Sequence, residues 1–301
     1  MERILTGTVN DDTLTNVEQV LRRQLGLTKR QISQAKFRDH GICKNGIPCR
    51  IHEALTPGDQ VTVKIEEESD ASSHLIPLKG DLKILYEDQD LILVEKRSGI
   101  PVHPAHGHYK DTLVNLLAYY FTQKDEHVLI RPVGRLDLET SGVVVFAKNQ
   151  TAAARLDQQK KQGIFHKEYL AIVTGQPEQE QGEITSPIGR APGSLNRMQV
   201  CMEGKTAQTY FWVEHYLKEQ NRSLVRLRIK TGRTHQIRVH MASIGHPLLG
   251  DSCYNPHPEL ELIGRTALHA GTVWLNQPFT GEVLEIHSPI PEDMRNLIPH
   301  P

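Results

Sequence analysis

The chain has 301 residues, 38% of them hydrophobic and 24% charged, an ordinary globular composition with room for two domains and a sizeable core. No apolar run approaches the roughly eighteen residues of a membrane span, and the start "MERILTGTVNDD" lacks the basic-then-apolar order of a secretory leader, so a soluble, cytoplasmic protein is expected. The net charge of −1 hides a local excess: between Leu14 and Ile51, Arg22, Arg23, Lys29, Arg30, Lys36, Arg38, Lys44 and Arg50 face only Glu18 and Asp39.

Along that basic segment, Leu14, Val17, Leu21 and Leu25 fall on one face of a helix that Gly26 can end. Thr28 caps a second helix, "KRQISQAKFRD", which stops near Gly41. Asn45-Gly46 then sits between short extended pieces, the favoured type I′ hairpin turn, because both central residues need positive φ. "PGDQVTVKI" adds a turn and a strand in which Val61, Val63 and Ile65 alternate with polar residues. The acidic, small-residue stretch "EEESDASSH" that follows reads as a linker. This order of helices, hairpin and strand over Thr13 to Ile65 resembles the S-four-type RNA-binding module. The resemblance implies that Arg22, Arg23, Lys29, Arg30, Lys36, Arg38 and Lys44 contact RNA phosphates. The expected organisation is a small α+β RNA-binding domain over 12–66, a linker over 67–80 and a larger domain over 81–301.

In the larger part, "KILYEDQDLILVEK" reads as a hairpin, and "HKEYLAIVTG", "KTAQTYFWVEHY" and "SLVRLRIKTG" as further strands. Helices fit "DTLVNLLAYYF", "TAAARLDQQKKQ" and "RTHQIRVHMASIG"; in the last, Thr234 is the expected cap, Ile237, Met241 and Ile244 share a face, and Gly245 stops it. Strands in hairpins without regular βαβ alternation imply α+β with a mixed, largely antiparallel sheet. Cys43, Cys49, Cys201 and Cys253 show no CxxC spacing and are expected as free thiols.

"GRLDLETSG", Gly134 to Gly142, sets a carboxylate beside "VVVFA", a buried strand. Burial penalises a carboxylate's charge, and a nearby cation reverses the penalty: at about 4 Å and an effective dielectric near 20 the attraction is on the order of 4 kcal/mol. Arg135 is next but one to Asp137 and "TGRTHQIR" offers Arg233 on another loop, so a desolvated, cation-held Asp137 is a candidate nucleophile or base. A structural Arg-x-Asp ion pair is the plain alternative.

The ordered set "GRLDLETSGVVVFAKN", "HKEYLAIVTG" and "LRIKTGRTHQIRVHMASIGHPLLGD..Y", with the earlier "LILVEKRSGIPVHPA", is similar to the RluA and RluD family of RNA pseudouridine synthases. The resemblance implies an enzyme without a cofactor. It detaches a uridine base in ribosomal or transfer RNA, most of all large-subunit ribosomal RNA, rotates it and rejoins it through carbon. On that resemblance Asp137 is the catalytic carboxylate, attacking the sugar or initiating glycosidic cleavage. Arg135 fills the gap left by the flipped uridine, Tyr169 lies against the flipped ring, Ile229 packs behind it and Arg233 pairs with Asp137. Core packing alone would also explain Tyr169 and Ile229. Two positions depart from the family pattern: Gly134 stands where histidine is usual and Arg97 where proline is usual.

Three other readings are weaker. His103, His106 and His108 lie together but lack a companion carboxylate or cysteine at metal-ligand spacing, so no metal is expected. A glycosidase built on Asp137 and Glu139 leaves the basic module unexplained. A non-catalytic RNA-binding or ribosome-assembly factor would most simply have lost Asp137, Tyr169 or Arg233, and all three are present. A monomer is expected.

Overall fold

The computed structural model describes residues 2–66, 72, 74–104, 107–194 and 196–298. Residues 67–71 and 73 of the expected linker, and His106 of the histidine group, lie outside them. The chain opens with strand β1 (Glu2–Thr8), and helix α1 (Val17–Gln19), capped by Asn16, widens into a π-helical turn over Val20–Gln24. Val17, Leu21 and Leu25 are buried as their spacing requires, while Leu14 sits ahead of the cap and is only partly covered. Helix α2 (Lys29–Ala35) starts in a reciprocal capping box between Thr28 and Gln31. It ends earlier than expected because the chain folds back over its C-terminus: a Cβ on Gly41 would stand 2.0 Å from the Ala35 carbonyl oxygen. Strands β2 (Ile42–Lys44) and β3 (Ile47–Pro48) turn through Asn45 and Gly46 with φ of 49° and 80°, the pair of positive values a type I′ turn needs. Strand β4 (Gln60–Glu66) completes an antiparallel sheet of order β1-β4-β2-β3. The sheet thus includes β1, which lies ahead of the expected start at residue 12.

The rest of the chain builds one ten-stranded sheet. The hairpin β5 (Lys83–Glu87) and β6 (Leu91–Lys96) leads to helix α3 (Leu113–Gln123), then β7 (Arg131–Pro132), β8 (Ser141–Ala147) and helix α4 (Gln150–Gln162). Next come β9 (His166–Thr174), β10 (Gln181–Ile184), a separate ribbon of β11 (Ile188–Arg190) and β12 (Met198–Val200), and the pair β13 (Thr209–Leu217) and β14 (Arg222–Ile229). Helix α5 (Gln236–Ser243), β15 (Leu268–Asn276), β16 (Val283–His287) and α6 (Glu292–Arg295) finish the chain. The order is β10-β13-β14-β9-β15-β8-β6-β5, with β16 on β15 and β7 on β8, and every pairing but β15 with β8 is antiparallel. This is the expected α+β class with a mixed, largely antiparallel sheet.

The sheet is covered on both faces, and β8 shows why "VVVFA" carries no polar residue. Val144 and Phe146 pack with α3, while Val143, Val145 and Ala147 pack with Ala152, Ala153 and Leu156 of α4. Each fully buried Val or Phe contributes on the order of 1.5–3 kcal/mol. Gly142 sits where β8 meets β15: its φ is +113°, and a Cβ there would lie 2.2 Å from the Ala270 carbonyl oxygen. The glycine of "TSG" is therefore required by the close strand approach immediately after the Asp137 loop.

The small unit docks on α4 and the β15–β16 turn. Gln31 Nε2 donates to Thr151 Oγ1 at 2.7 Å, and Arg155 bridges both parts, donating from Nε to Leu25 O at 2.9 Å and from Nη1 to Pro278 O at 2.7 Å. Arg3 pairs with Asp90 at 2.8 Å, and Arg3 and Arg155 lie 3.9 and 4.6 Å from the ring centroid of Phe279, which packs against the small core.

Candidate active site

Asp137 lies in the loop between β7 and β8, one-quarter exposed, at the wall of a cavity of about 340 Å³. The loop is tied down on both sides of it. Lys96 is fully buried, and its amine donates to the carbonyls of Arg97 at 3.0 Å, Ile100 at 2.8 Å and Leu138 at 2.8 Å. Gly99 N also donates to Leu138 O at 2.9 Å, so that single carbonyl next to Asp137 holds two donors. Burial pushes the Lys96 amine down to about 7, against the opposing pull of the Asp137 charge. On the far side, Glu139 accepts from Thr266 N at 3.1 Å and from Thr266 Oγ1. Glu139 is thus an anchor for the loop, which removes the paired-carboxylate arrangement that a glycosidase would need.

The cation paired with Asp137 is Arg238, not the expected Arg233. Arg238 Nη1 stands 3.8 Å from Asp137 Oδ2, while its Nε and Nη2 hold the fully buried Asp251 in a fork at 2.7 and 2.8 Å. Asp251 Oδ1 also accepts from the Cys253 and Tyr254 amides at 3.0 and 3.1 Å, so the guanidinium's orientation is fixed by a saturated carboxylate. Arg233 lines the same cavity but turns its Nε to Thr206 O at 2.9 Å.

The choice between the two arginines follows from how α5 begins. His235 takes a left-handed φ of 55° and caps the helix in place of Thr234, and its Nδ1 meets Tyr254 Oη at 2.8 Å. Gln236 accepts from the Arg233 amide at 3.0 Å and donates to Gln208 O at 2.9 Å, and His240 bridges Thr209 Oγ1 and Ser186 O at 2.8 and 2.9 Å. These bonds lash one helix face to β13 and turn Arg238 toward Asp137. Ile237 and Met241 are buried as expected; Ile244, past the helix end, is 38% exposed. Thr234, freed from capping, accepts from Arg135 Nη2 at 3.0 Å.

Of the remaining site candidates, Tyr169 is buried on β9, and Ile229 is half-buried at the end of β14; both line the cavity with Arg135 and Asp137. Burial, with the Asp137 charge beside it, holds the Tyr169 phenol well above its ordinary range, so it stays protonated. Arg238, Asp251, Lys96 and His235 were not singled out from the sequence. For Arg238 and His235 the available signal is the set of polar residues His235, Gln236, Arg238 and His240 interleaved with Ile237 and Val239 in one short helix, which demands buried partners.

On the small unit, Arg22, Arg23, Lys29, Arg30 and Lys36 are exposed, with Arg22 3.9 Å from Glu18. Arg38 and Lys44 are instead engaged, with Glu66 at 2.6 Å and Asp59 at 3.0 Å. His108 is paired with Asp111, and among the described residues no group of three or more His, Cys, Asp or Glu is placed to hold a metal ion. All four cysteines are free, and no helix among the described residues is long and apolar enough to cross a membrane.

Residues 90–243 match the family described as RNA pseudouridylate synthase. The chain is 44% identical over 240 residues to the uncharacterized RNA pseudouridine synthase YhcT of Bacillus subtilis, covering 80% of this chain and 78% of that one. It is 34% identical over 308 residues to the ribosomal large subunit pseudouridine synthase D of Escherichia coli, covering 98% and 93%. Among solved structures, human RNA pseudouridylate synthase domain containing 1 superposes with a TM-score of 0.58 at 29% identity, over 70% of this chain and 86% of that one. With the family model spanning more than half of the chain and a relative 34% identical along nearly all of it, the chain belongs to the RluA/RluD family of RNA pseudouridine synthases.

Proposed function

We propose that this enzyme isomerises particular uridines of large-subunit ribosomal RNA, with Asp137 as the catalytic carboxylate. The observation that carries the proposal is the cavity itself, in which Asp137 is the one carboxylate among the lining residues and faces Arg238 from a loop locked at both ends. The N1–C1′ bond of uridine must break, the base must turn, and a C5–C1′ bond must form while the C5 proton leaves and N1 gains one. Asp137 starts this by attacking the sugar or by drawing the base off it. Arg238 holds the carboxylate in place, and its own position is fixed by Asp251.

A base inside a folded RNA must leave its stack before its glycosidic bond can be reached. Arg135, exposed at the cavity mouth and steadied by Thr234, enters the vacated space. Tyr169, kept as a neutral phenol, and Ile229 form the walls against which the ring turns. Arg233 faces the RNA from the opposite rim. The small unit is an S-four-type module whose exposed Arg22, Arg23, Lys29, Arg30 and Lys36 supply sequence-independent phosphate contacts, with Arg38 and Lys44 at its margin. The protein works in the cytoplasm as a monomer and needs no cofactor; ribosomal RNA is favoured over transfer RNA by the activity named for its Escherichia coli relative.

Asp137→Asn tests the assignment. The substitution keeps the volume and hydrogen-bonding capacity but removes the negative charge. Purified wild type and variant are incubated with RNA from cells lacking the gene, and pseudouridine is mapped in both. The expected result is complete loss of product with RNA binding retained; a folded variant that still modifies the RNA removes Asp137 from the chemistry.

A further inference from the structure

The cavity lining carries Arg135, Lys160, Lys167, Lys230, Arg233 and Arg238 against the single carboxylate Asp137. Most of these cations are accounted for. Arg238 is held by Asp251, Arg135 by Thr234, Arg233 by Thr206, and the buried Lys167 amine donates to Val143 O at 2.6 Å. Lys230 is exposed to water. Lys160 differs from all of them. It is half-buried near the C-terminal end of α4, yet its amine meets no carboxylate or hydrogen-bond acceptor among the described residues and lies 5.3 Å from the centroid of the Phe165 ring.

Its amine lies over a residue without a side chain. Gly134, three residues before Asp137, has φ of +88°, and a Cβ there would stand 3.1 Å from Lys160 Nζ. The ammonium therefore occupies the space directly over the backbone of the catalytic loop. Burial disfavours its charge, the buried Lys167 lies near enough to be repelled by it, and the offsetting charge of Asp157 is on the exposed side of the helix. A lysine in a part-buried cleft without an anion beside it regains its full charge when an anion is brought to it from outside.

We infer that Lys160 binds a phosphate of the substrate RNA at the lip of the cavity, over Gly134, and so holds the strand beside the uridine that enters. This rests on the pseudouridine synthase reading of the same cavity. A phosphate fits on three grounds: RNA offers one with each nucleotide, the ammonium is a compact point charge suited to it, and with no side chain at Gly134 the RNA backbone can approach the ammonium close to the loop.

Lys160→Gln and Lys160→Arg, compared with wild type on an in vitro transcript of large-subunit ribosomal RNA, test it. For Lys160→Gln the slope of log affinity against log salt should fall by about 0.7–0.9, the release associated with one phosphate contact. KM should rise about 3- to 10-fold, while the single-turnover rate at saturating RNA stays within about two-fold, the pattern of a contact made equally in ground and transition states. Lys160→Arg, which keeps the charge, should restore slope and KM. An unchanged slope in Lys160→Gln overturns the inference, as does equal loss in both variants, which would make Lys160 a packing residue. Should wild type bind the transcript with the steeper slope yet form no pseudouridine, the phosphate site stands and the proposed activity on that RNA falls.

Discussion

The floor of the cavity and the face of the small unit both use arginine and lysine, in opposite ways. At the cavity Arg238 spends its whole fork on Asp251 and Asp137, and behind the Asp137 loop Lys96 spends its amine on three carbonyls. On the small unit Lys29 and Lys36 are exposed to water, without a salt-bridge partner among the described residues. Chemistry on a glycosidic bond needs groups whose geometry is settled before the substrate arrives. Gripping a polyanion of variable shape needs charges that are free to follow it. The difference predicts that cavity substitutions are costly for rate and fold together, whereas those on the module are cheap for the fold and graded in binding.

The largest effect should come from Arg238→Met. It leaves the fully buried Asp251 without its cation, costing about 3–5 kcal/mol of stability, and frees Asp137 to move, lowering turnover about 100-fold or more. Urea unfolding and single-turnover kinetics measure the two losses. A variant of normal stability would show that Asp251 has a second source of compensation.

Lys96→Met should come next, with stability lower by about 2 kcal/mol because the Arg97, Ile100 and Leu138 carbonyls lose the buried amine, and with slower turnover because Leu138 O keeps only Gly99 N to anchor the loop. It also carries a pH signature. The folded-state amine titrates near 7, below the roughly 10.4 of an unfolded lysine, so between those values the unfolded chain binds more protons and stability rises with pH. Below 7 the full penalty for the buried charge applies. Unfolding free energies at pH 7 and pH 9 should diverge less in Lys96→Met than in wild type; an identical rise would place the titration elsewhere, with the buried Lys167 the next to test.

The smallest effects belong to the module. Lys29→Gln and Lys36→Gln should each weaken binding of any RNA to a similar degree, with stability changed by no more than about 0.5 kcal/mol. Arg38→Gln should weaken it less, since its guanidinium already faces Glu66 at 2.6 Å. Electrophoretic mobility shifts across a salt series rank the three, and an Arg38 effect as large as the others would mean that RNA displaces Glu66.

What could be read from the sequence divides along the same line. Local signals held: Asn45-Gly46 turns a hairpin, Thr28 caps α2, and "VVVFA" is a strand buried on both faces. The place of Asp137 in a loop just ahead of a buried strand was legible because its neighbours in the chain make an unusual loop, and that loop lies at the cavity wall. Strand β1 was not, since its alternation is broken by Gly7 and it is completed only by β4, far along the chain. Nor was the identity of the paired arginine. Arg233 and Arg238 sit on one short motif, and which of them turns inward is decided by His235, Gln236 and His240 reaching β13 and Tyr254, contacts that no local pattern encodes.

Helix α4 serves two sites at once. Thr151, Arg155 and Gln158 hold the small unit along its length, and Lys160 reaches the cavity from its last turns. At 1.5 Å per residue, the stretch from Thr151 to Lys160 is about 14 Å, and it cannot stretch or swing. A module on a loose tether would only raise the local concentration of RNA. On the proposed function, a module bolted to this helix would act as a ruler: RNA gripped by the module would offer to the cavity whichever uridine its own fold sets at the matching span, and the choice of target would become a matter of length and shape rather than of letters.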